Sequence, residues 1–395
     1  MGWGYFRSCR PSSSPRSVVA DVSSLAGFTI GITAARRREE FGAALARRGA
    51  TVLYGPAIRI VPLENDDELR RATQACVDAP PDIVVATTGI GFRGWIEAAD
   101  GWGLGEGLLD VLKRATLLAR GPKVVGAMHA AGLFGEWSPE SESSTEVLER
   151  LLTMDLQGRR VAIQLHGEPL PDMVDVLHEA GATVEQIQVY RWTLPVDTAP
   201  LVKLCQQVAA REMQALTFTS APAAVSFLQI ADELGLGDQV RDALHSEVLA
   251  VAVGPVTAAP LDRAGIPVVQ PNRSRLGAMV REISVQVPAR FARRVVAAGH
   301  TLELRGTGVL IDDRFVSPGP SGMALLRSLV EHPGQVHTRA ELSAVLPGGS
   351  ADDHAIEVAI GRLRTALGEP RIIQTVVKRG YRLAFDPEVA SSGRY

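Results

Sequence analysis

The sequence predicts an α/β protein with two similar doubly wound lobes, followed by a smaller C-terminal domain of short strands and three helices. The first observation is an internal repeat, because residues 28–52 and 159–184 share one layout that ends in the tetrapeptide GATV. The second is that the strands are continuously apolar, as in a parallel sheet covered on both faces. The third is the length, since 395 residues exceed one ordinary domain.

Two more units repeat in the same order, each an apolar strand followed by an apolar-striped helix. Residues 82–99 are echoed by residues 213–231, and residues 123–133 are echoed by residues 254–266. Because three units recur in one order, the body consists of two lobes of the same doubly wound design.

Two segments, 55–63 and 187–195, alternate like exposed strands and resemble crossovers between the lobes. If they pair, the middle of the chain forms one lobe and the flanking parts form the other. We therefore predict a body of residues 27–287, divided into lobe A (27–56 and 194–287) and lobe B (63–188).

The composition is that of a globular protein, with 46% hydrophobic and 22% charged residues. Three scattered cysteines and eight scattered histidines argue against a disulfide framework and a zinc site. No apolar run is long enough to span a membrane, and residues 1–26 are rich in Ser, Arg and Pro. We expect a cytoplasmic protein with a disordered N-terminal tail, no membrane contact, no metal and no cofactor.

After the body we predict a linker at residues 288–300, a small domain at residues 301–386 and a tail at residues 387–395. Short strands separated by Gly and Asp turns come first, followed by three helices and a basic hairpin. The second helix begins at Thr338, where Glu341 completes a capping box.

Charge is unevenly distributed along the chain. Residues 290–383 contain 13 Lys and Arg against 9 Asp and Glu, whereas the whole chain has a net charge of −3. A basic module on an acidic body favours a polyanionic partner for the module, although ordinary surface variation is the equal alternative.

The last helix predicts a buried stripe of Ile356, Ile360, Leu363 and Leu367. Its other face is small and partly basic and suits a major groove, while the hairpin would bring its cations to the sugar–phosphate backbone. The candidate DNA-binding residues are Arg339, His354, Val358, Arg362, Arg364, Thr365, Lys378, Arg379 and Arg382.

These C-terminal motifs resemble the OmpR-like winged helix-turn-helix DNA-binding family. IEVAIGRLRTALG matches its recognition helix, IIQTVVKRGYRL its wing and HPGQVHTRAEL the entry to its second helix. The resemblance implies double-stranded DNA as partner and a homodimer on repeated half-sites. Val377-Lys378 stands where Arg-Gly is usual, which leaves the DNA sequence open, and a purely protein–protein winged helix is the alternative. The acidic residues of a phosphorylated receiver domain are missing, so we expect no control by aspartyl phosphorylation.

The body resembles uroporphyrinogen-III synthase, through GITAARRREEFGAALARRGATVLYGPAIRIVPL, VYRWTLP, LTFTSAPAAVSFL and VAVGPVTAAPLDRAGIPVVQPNRSRLGAMVREI in that order. The resemblance implies two lobes joined by a two-stranded ladder, with a polycarboxylate, hydroxymethylbilane, bound in the cleft between them. Tyr190 falls on the position proposed to assist loss of the substrate hydroxyl. Strand-to-helix turns offer amide donors to anions, and the ligand-binding candidates are Thr33, Thr88, Gly89, Thr219, Ser220, Ala221, Gly254 and Thr257.

Departures from the family pattern lie mainly in lobe B. Thr88-Gly89 stands for its Thr-Ser turn, and Val124 stands where the second copy has Thr257. Losing a donor aimed at an anion costs about 1.5–3 kcal/mol, so such a cleft is expected to hold a tetrapyrrole or other polyanion and turn it over poorly. Simple N-capping is the alternative role for the Ser and Thr residues, and packing in the ladder is the alternative for Tyr190.

We interpret the chain as a DNA-binding transcriptional regulator whose synthase-like body senses a ligand. The alternative is a bifunctional protein that is also an active uroporphyrinogen-III synthase. Because sirohaem derives from uroporphyrinogen III and serves nitrite and sulfite reductases, the regulated genes would be those of nitrate and nitrite assimilation.

Overall fold

The computed structural model describes residues 24–63, 67–139, 143–165, 167, 170–347 and 353–385. The chain divides into two compact units, Met1–Gly55 with Pro200–Tyr395, and Pro56–Ala199. The first unit contains lobe A and the C-terminal domain, and the second contains lobe B.

The described elements alternate between strands and helices along the body. The first segment contains β1 (Thr29–Ile32), α1 (Arg38–Ala46) and β2 (Thr51–Tyr54). The middle segment contains β3 (Arg59–Pro62), α2 (Asp67–Asp78), β4 (Ile83–Ala86), α3 (Gly89–Gly101), α4 (Gly105–Arg114), β5 (Thr116–Ala119), α5 (Pro122–Ala130), α6 (Ser144–Leu152), β6 (Arg160–Gln164), α7 (Pro171–Glu179), β7 (Thr183–Ile187) and β8 (Tyr190–Thr193). The third segment contains α8 (Ala199–Ala209), β9 (Ala215–Phe218), α9 (Ala221–Glu233), α10 (Gly237–Ser246), β10 (Leu249–Ala252), α11 (Pro255–Arg263), β11 (Val268–Val269) and α12 (Leu276–Phe291).

Lobe A is a five-stranded parallel sheet in the order β11-β10-β9-β1-β2. Every residue of β1, β9 and β10 is buried, as a parallel sheet with helices on both faces requires. Phe28, Leu45 and Ile283 are among the fully buried core residues of this lobe. The continuous apolar runs in the sequence are therefore the central strands.

Lobe B repeats the design with a four-stranded parallel sheet in the order β5-β4-β6-β7. Its core is built around Trp95, whose indole N–H donates to the Thr73 hydroxyl at 3.0 Å. The predicted pairing of the two crossover segments is confirmed, because β3 and β8 form an antiparallel ladder from Arg59 opposite Thr193 to Pro62 opposite Tyr190.

The C-terminal domain is a winged helix. Its elements are β12 (Arg293–Ala297), β13 (His300–Leu304), β14 (Val309–Ile311), β15 (Arg314–Val316), α13 (Gly319–Glu331), α14 (Arg339–Ala344), α15 (Asp353–Leu367), a 3-10 turn (Pro370–Ile372), β16 (Ile373–Val376) and β17 (Gly380–Leu383). β12 to β15 form an antiparallel sheet, and β16 and β17 form the wing hairpin. The predicted capping box is confirmed, since Thr338 accepts from the Glu341 amide and Glu341 accepts from the Thr338 amide.

The predicted linker at 288–300 is wrong, because this stretch is regular structure. α12 continues through Pro288 to Phe291, and after Ala292 the chain enters β12, which pairs with β13 along its whole length. The sequence reading treated Pro288 as a break and overlooked the alternation in RRVVA. The predicted N-terminal tail was also drawn too long, since Leu25 is buried in lobe A; residues 1–23 and 387–395 lie outside the described part.

No helix within the described ranges is long and apolar enough to cross a membrane.

The tryptophans supply a selective probe of lobe B. Four of the five, Trp95, Trp102, Trp137 and Trp192, lie in the unit Pro56–Ala199, and the fifth, Trp3, lies outside the described residues. Leu112→Ala should therefore lower the free energy of unfolding reported by tryptophan fluorescence in urea by about 2–5 kcal/mol, because it empties a fully buried site in lobe B. The matched control is Leu329→Ala, which empties an equally buried site in the winged helix. Equal shifts of the fluorescence midpoint in both variants would contradict separate unfolding of the two units.

Candidate functional site

The third helix of the winged-helix domain, α15, presents one apolar and one exposed face. Its predicted buried stripe is confirmed, since Ile356, Ile360, Leu363 and Leu367 are each no more than 1% exposed. The opposite face is exposed and carries His354, Val358, Gly361, Arg362 and Thr365. Helical spacing of the buried residues thus turns the predicted groove-reading side chains outward.

Two features of this face affect its chemistry. The Thr365 hydroxyl donates to the Gly361 carbonyl at 3.0 Å, so its proton is already used within the helix although the residue is exposed. Arg362 forms no ion pair with a described residue, so its guanidinium is available to a ligand. Val358, 38% exposed, lies one turn before Arg362.

Arg364 does not belong to this face, which corrects its assignment as a DNA contact. Its Nε and Nη2 donate to the Ile373 carbonyl at 3.0 and 2.7 Å, and Nη2 also donates to the Thr375 hydroxyl at 2.9 Å. The guanidinium lies 5.8 Å from the ring centroid of the buried Tyr381. Arg364 therefore fastens the wing hairpin to α15.

Arg339 reaches the same aromatic ring from α14. Its guanidinium lies 5.9 Å from the Tyr381 centroid and donates to Glu357 Oε1 at 3.0 Å. The backbone of Tyr381 exchanges two hydrogen bonds with His337, at 2.8 and 2.9 Å. Tyr381 thus joins α14, α15 and the wing, a role that the sequence reading missed because the Gly-Tyr pair was read only as strand.

The wing carries exposed cations at its tip. Lys378, with φ of 59°, and Arg379 form the turn between β16 and β17, and neither forms an ion pair with a described residue. Gly380 is required there, because its φ is 134° and a Cβ would lie 2.0 Å from the His337 carbonyl oxygen. Arg382 is exposed and donates to Gln374 at 2.9 Å. The exposed α15 face and the wing tip together form what we call the basic face (His354, Val358, Arg362, Lys378, Arg379 and Arg382).

In lobe A the candidate ligand residues follow the carboxyl ends of β1, β9 and β10. Thr33 is fully buried, and its hydroxyl donates to the Thr217 carbonyl at 2.8 Å while that of Thr217 donates to the Gly31 carbonyl at 2.8 Å. The hydroxyl proton of Thr33 is therefore occupied in joining β1 to β9, which corrects its assignment as a ligand donor.

The turns after β9 and β10 keep unoccupied donors. Ser220 is the N-cap residue of α9, but its side chain makes no capping hydrogen bond, so the N-capping alternative is wrong for Ser220. Thr219 precedes it, and Ala221 is the first helical residue. Gly254 is the N-cap residue of α11, and Thr257 lies three residues further on, 5% exposed. These turns place hydroxyl and amide donors at two helix N-termini of one sheet edge.

The turn after β4 in lobe B differs from the predicted alignment by one residue. Thr88, not Gly89, is the N-cap residue of α3 and corresponds to Ser220, so lobe B keeps a hydroxyl at this position. Here N-capping is real, because Thr88 Oγ1 accepts from the Gly91 amide at 3.2 Å. Gly89 must be small, since a Cβ would lie 2.3 Å from the Lys123 carbonyl oxygen.

Tyr190 begins β8 and is 9% exposed. Its phenolic oxygen lies 3.3 Å from Thr88 Oγ1, so the ladder residue and the helix cap form one polar pair within lobe B. Val124 and Thr257 occupy equivalent positions, because each is the third residue of a helix that follows an N-cap glycine.

The described residues contain no cluster of three or more His, Cys, Asp or Glu side chains that could hold a metal ion. Burial raises the pKa of Cys76 and of Cys205 to about 12, so neither thiol ionises near neutral pH.

The comparisons with known proteins cover both parts of the chain. The model of the family "Uroporphyrinogen-III synthase HemD" matches residues 39–281, and the model "Transcriptional regulatory protein, C terminal" matches residues 313–383. A crystal structure of a mutant uroporphyrinogen III synthase from Thermus thermophilus is 31% identical, with a TM-score of 0.53, covering 66% of this chain and 99% of that one.

Two curated relatives agree with this division. The protein YjjA of Bacillus subtilis is 29% identical over 261 residues, which are 66% of this chain and 96% of YjjA. The phosphate regulon transcriptional regulatory protein PhoB of Klebsiella pneumoniae is 31% identical over 116 residues, which are 28% of this chain and 49% of PhoB. The chain thus spans about half the length of PhoB. It belongs to the uroporphyrinogen-III synthase family through residues 39–281, and it carries a C-terminal domain of the OmpR/PhoB transcriptional-regulator type at residues 313–383.

Proposed function

We propose that this protein is a transcriptional regulator that binds double-stranded DNA through the basic face and senses a polyanionic ligand through its synthase-like body. The observation that carries DNA binding is the basic face itself. Three of its cations, Arg362, Lys378 and Arg379, are exposed and form no ion pair with a described residue. α15 would lie in a major groove, with the wing tip against the phosphates.

The wing cations should set the salt dependence of DNA binding. Replacing Lys378 and Arg379 by alanine should lower the magnitude of the slope of log K against log salt by about two, because each phosphate contact releases about one counterion. The measurement is a fluorescence-anisotropy titration of the full chain with a DNA site obtained by in vitro selection. The matched control is Arg263→Ala with Arg281→Ala, which removes the same charge from exposed positions of lobe A. An equal loss of slope in the control would contradict a wing contact.

The sensor role is supported by the unused donors in lobe A. Ser220 makes no capping hydrogen bond, and the amides at the N-termini of α9 and α11 lie at the same sheet edge. A tetrapyrrole bearing several carboxylates is the ligand class that suits several separated donors of this kind. Lobe B by itself carries the Thr88 and Tyr190 hydroxyls, and Val124 stands where lobe A has Thr257.

The alternative proposal is a protein that also catalyses uroporphyrinogen-III synthesis. The observation that favours it is the pair of Tyr190 and Thr88, whose oxygens lie 3.3 Å apart. A phenol in this position would assist departure of the hydroxyl of hydroxymethylbilane by donating a proton.

Isomer analysis of the product separates the two proposals. For a sensor without synthase activity, incubation with hydroxymethylbilane should give only the type I isomer, which forms by spontaneous closure. Formation of the type III isomer would establish the enzyme instead. In that case Tyr190→Phe, which removes one hydroxyl from a buried ring, should slow formation of the type III isomer by 10- to 100-fold if the proton it donates matters.

The regulated genes are proposed from metabolic chemistry, since sirohaem derives from uroporphyrinogen III and serves nitrite and sulfite reductases. Deleting the gene for this protein should then change transcript levels of nitrate and nitrite assimilation genes at least several-fold in cells supplied with nitrate. RNA sequencing checks this against a strain complemented with the Lys378→Ala, Arg379→Ala variant. A homodimer on repeated half-sites is the proposed binding form.

A further inference from the structure

The winged-helix sheet has a second, outward face that packs against lobe A. Leu302 and Leu304 of β13 point into the winged-helix core, so Glu303 and Arg305 point to the opposite side. Both charged side chains are nevertheless buried, at 6% and 7% exposure. A charged pair that is buried outside its own domain core needs other groups to cover it, and residues of lobe A contact Arg305.

Arg305 makes the main contacts across this boundary. Its Nη1 donates to the Ala26 carbonyl at 3.0 Å, and its guanidinium lies 5.2 Å from the ring centroid of Phe28. On the same side, the Thr307 amide donates to the Gly27 carbonyl at 2.8 Å. The backbone that leads into β1 is therefore hydrogen-bonded by the winged-helix domain.

Glu303 holds Arg305 in place. Its Oε1 accepts from Arg305 Nε at 2.9 Å, and its Oε2 accepts from Arg294 Nε at 2.6 Å. Burial acts to raise the pKa of Glu303, but the hydrogen bonds from the two arginines outweigh burial and lower it. Glu303 is therefore ionised at neutral pH, and the orientation of Arg305 is fixed by an ion pair shielded from water.

Gln214 brings a second strand to the same boundary. It directly precedes β9, its side-chain oxygen accepts from the Thr29 amide at 2.9 Å, and it packs so closely on Gly306 that a Cβ there would lie 2.8 Å from that oxygen. A Cβ on Gly306 would also lie 2.7 Å from the Gly27 carbonyl oxygen. The winged helix thus contacts the amino ends of two adjacent, paired strands, β1 and β9.

The opposite ends of these two strands carry the candidate ligand turns. β1 ends before Thr33, which is bonded to Thr217 of β9, and β9 ends before Thr219 and Ser220. Each strand has only four residues, so about 13 Å of fully buried, hydrogen-bonded sheet separates the two ends.

We infer that Arg305 is a positioning residue that couples the ligand turns of lobe A to the DNA-binding domain through β1 and β9. This inference rests on the proposed sensor function. Anion binding at Ser220 displaces the carboxyl end of β9. The contacts of Gln214 and Ala26 with the winged-helix domain transmit this displacement to its sheet. By linkage, the state of the Arg305 joint also alters the ligand turns.

Hydrogen exchange of the full-length protein tests the coupling without any ligand. Arg305→Gln, and the milder Arg305→Lys that can keep an ion pair with Glu303, should both speed exchange of the backbone amides at 219–224, apart from Pro222, at least threefold. The matched control is Arg371→Gln, which alters an exposed arginine of the same domain and should leave these amides unchanged. Unchanged exchange at 219–224 in both Arg305 variants would overturn the inference.

A second arm uses uroporphyrin III, a stable octacarboxylate, as the probe. In the wild type the probe should change DNA affinity at least threefold, and in Arg305→Lys this response should vanish while DNA affinity without the probe stays the same. A full response in Arg305→Lys would overturn the coupling but leave the proposed function standing. Failure of the wild type to bind DNA would instead overturn the proposed function. If the wild type binds DNA without responding to the probe, the sensing part of the proposed function is overturned for this ligand class, and exchange at 219–224 still decides whether Arg305 is coupled to these turns.

Discussion

The carbonyl groups of Ala26 and Gly27 accept hydrogen bonds from the winged-helix domain. These bonds join lobe A to the C-terminal domain within the first compact unit. Buried backbone carbonyls need partners, and at the start of a central strand no sheet neighbour supplies them. Arg305 and Thr307 do so, and Glu303 forms an ion pair with Arg305. Gly27 has φ of 81°, and a Cβ there would lie 2.8 Å from the Phe315 ring. The buried carbonyls at the start of lobe A therefore receive their hydrogen bonds from residues about 280 positions further along the chain.

Local periodicity was enough to predict the elements and the architecture. The repeats predicted both parallel sheets, the two alternating segments predicted the β3–β8 ladder, and the stripe from Ile356 to Leu367 predicted the orientation of α15. These features depend on which residues must leave water, and that is written in the spacing of apolar side chains. β12 was not predicted, because its alternating pattern is short and lies close to Pro288. The proline suggested a break, whereas α12 contains it near its C-terminal end.

Individual side-chain roles were harder to predict, because partners distant in sequence decide them. Arg364 looked like any other arginine on a basic helix, yet Ile373 and Tyr381 hold it against the wing. The sequence predicts a ligand donor at Thr33, but its hydroxyl donates a hydrogen bond to the Thr217 carbonyl. Ser220 and Thr88 occupy the same position in the two lobes, but only Thr88 caps its helix. A sequence motif gives the residue type at such positions. Whether its hydroxyl already makes a hydrogen bond within the protein depends on tertiary contacts.

The direct passage from α12 to β12 has a consequence for how such proteins arise and can be rebuilt. Only Ala292 lies between the last helix of the synthase-like body and the first strand of the winged helix. Gene fusion usually tolerates mismatched neighbours because a loose spacer separates them, and this junction offers none. A chimera with a different winged-helix domain must therefore supply counterparts of Glu303, Arg305 and Thr307. Otherwise it needs a new linker and new hydrogen-bond donors for the Ala26 and Gly27 carbonyls.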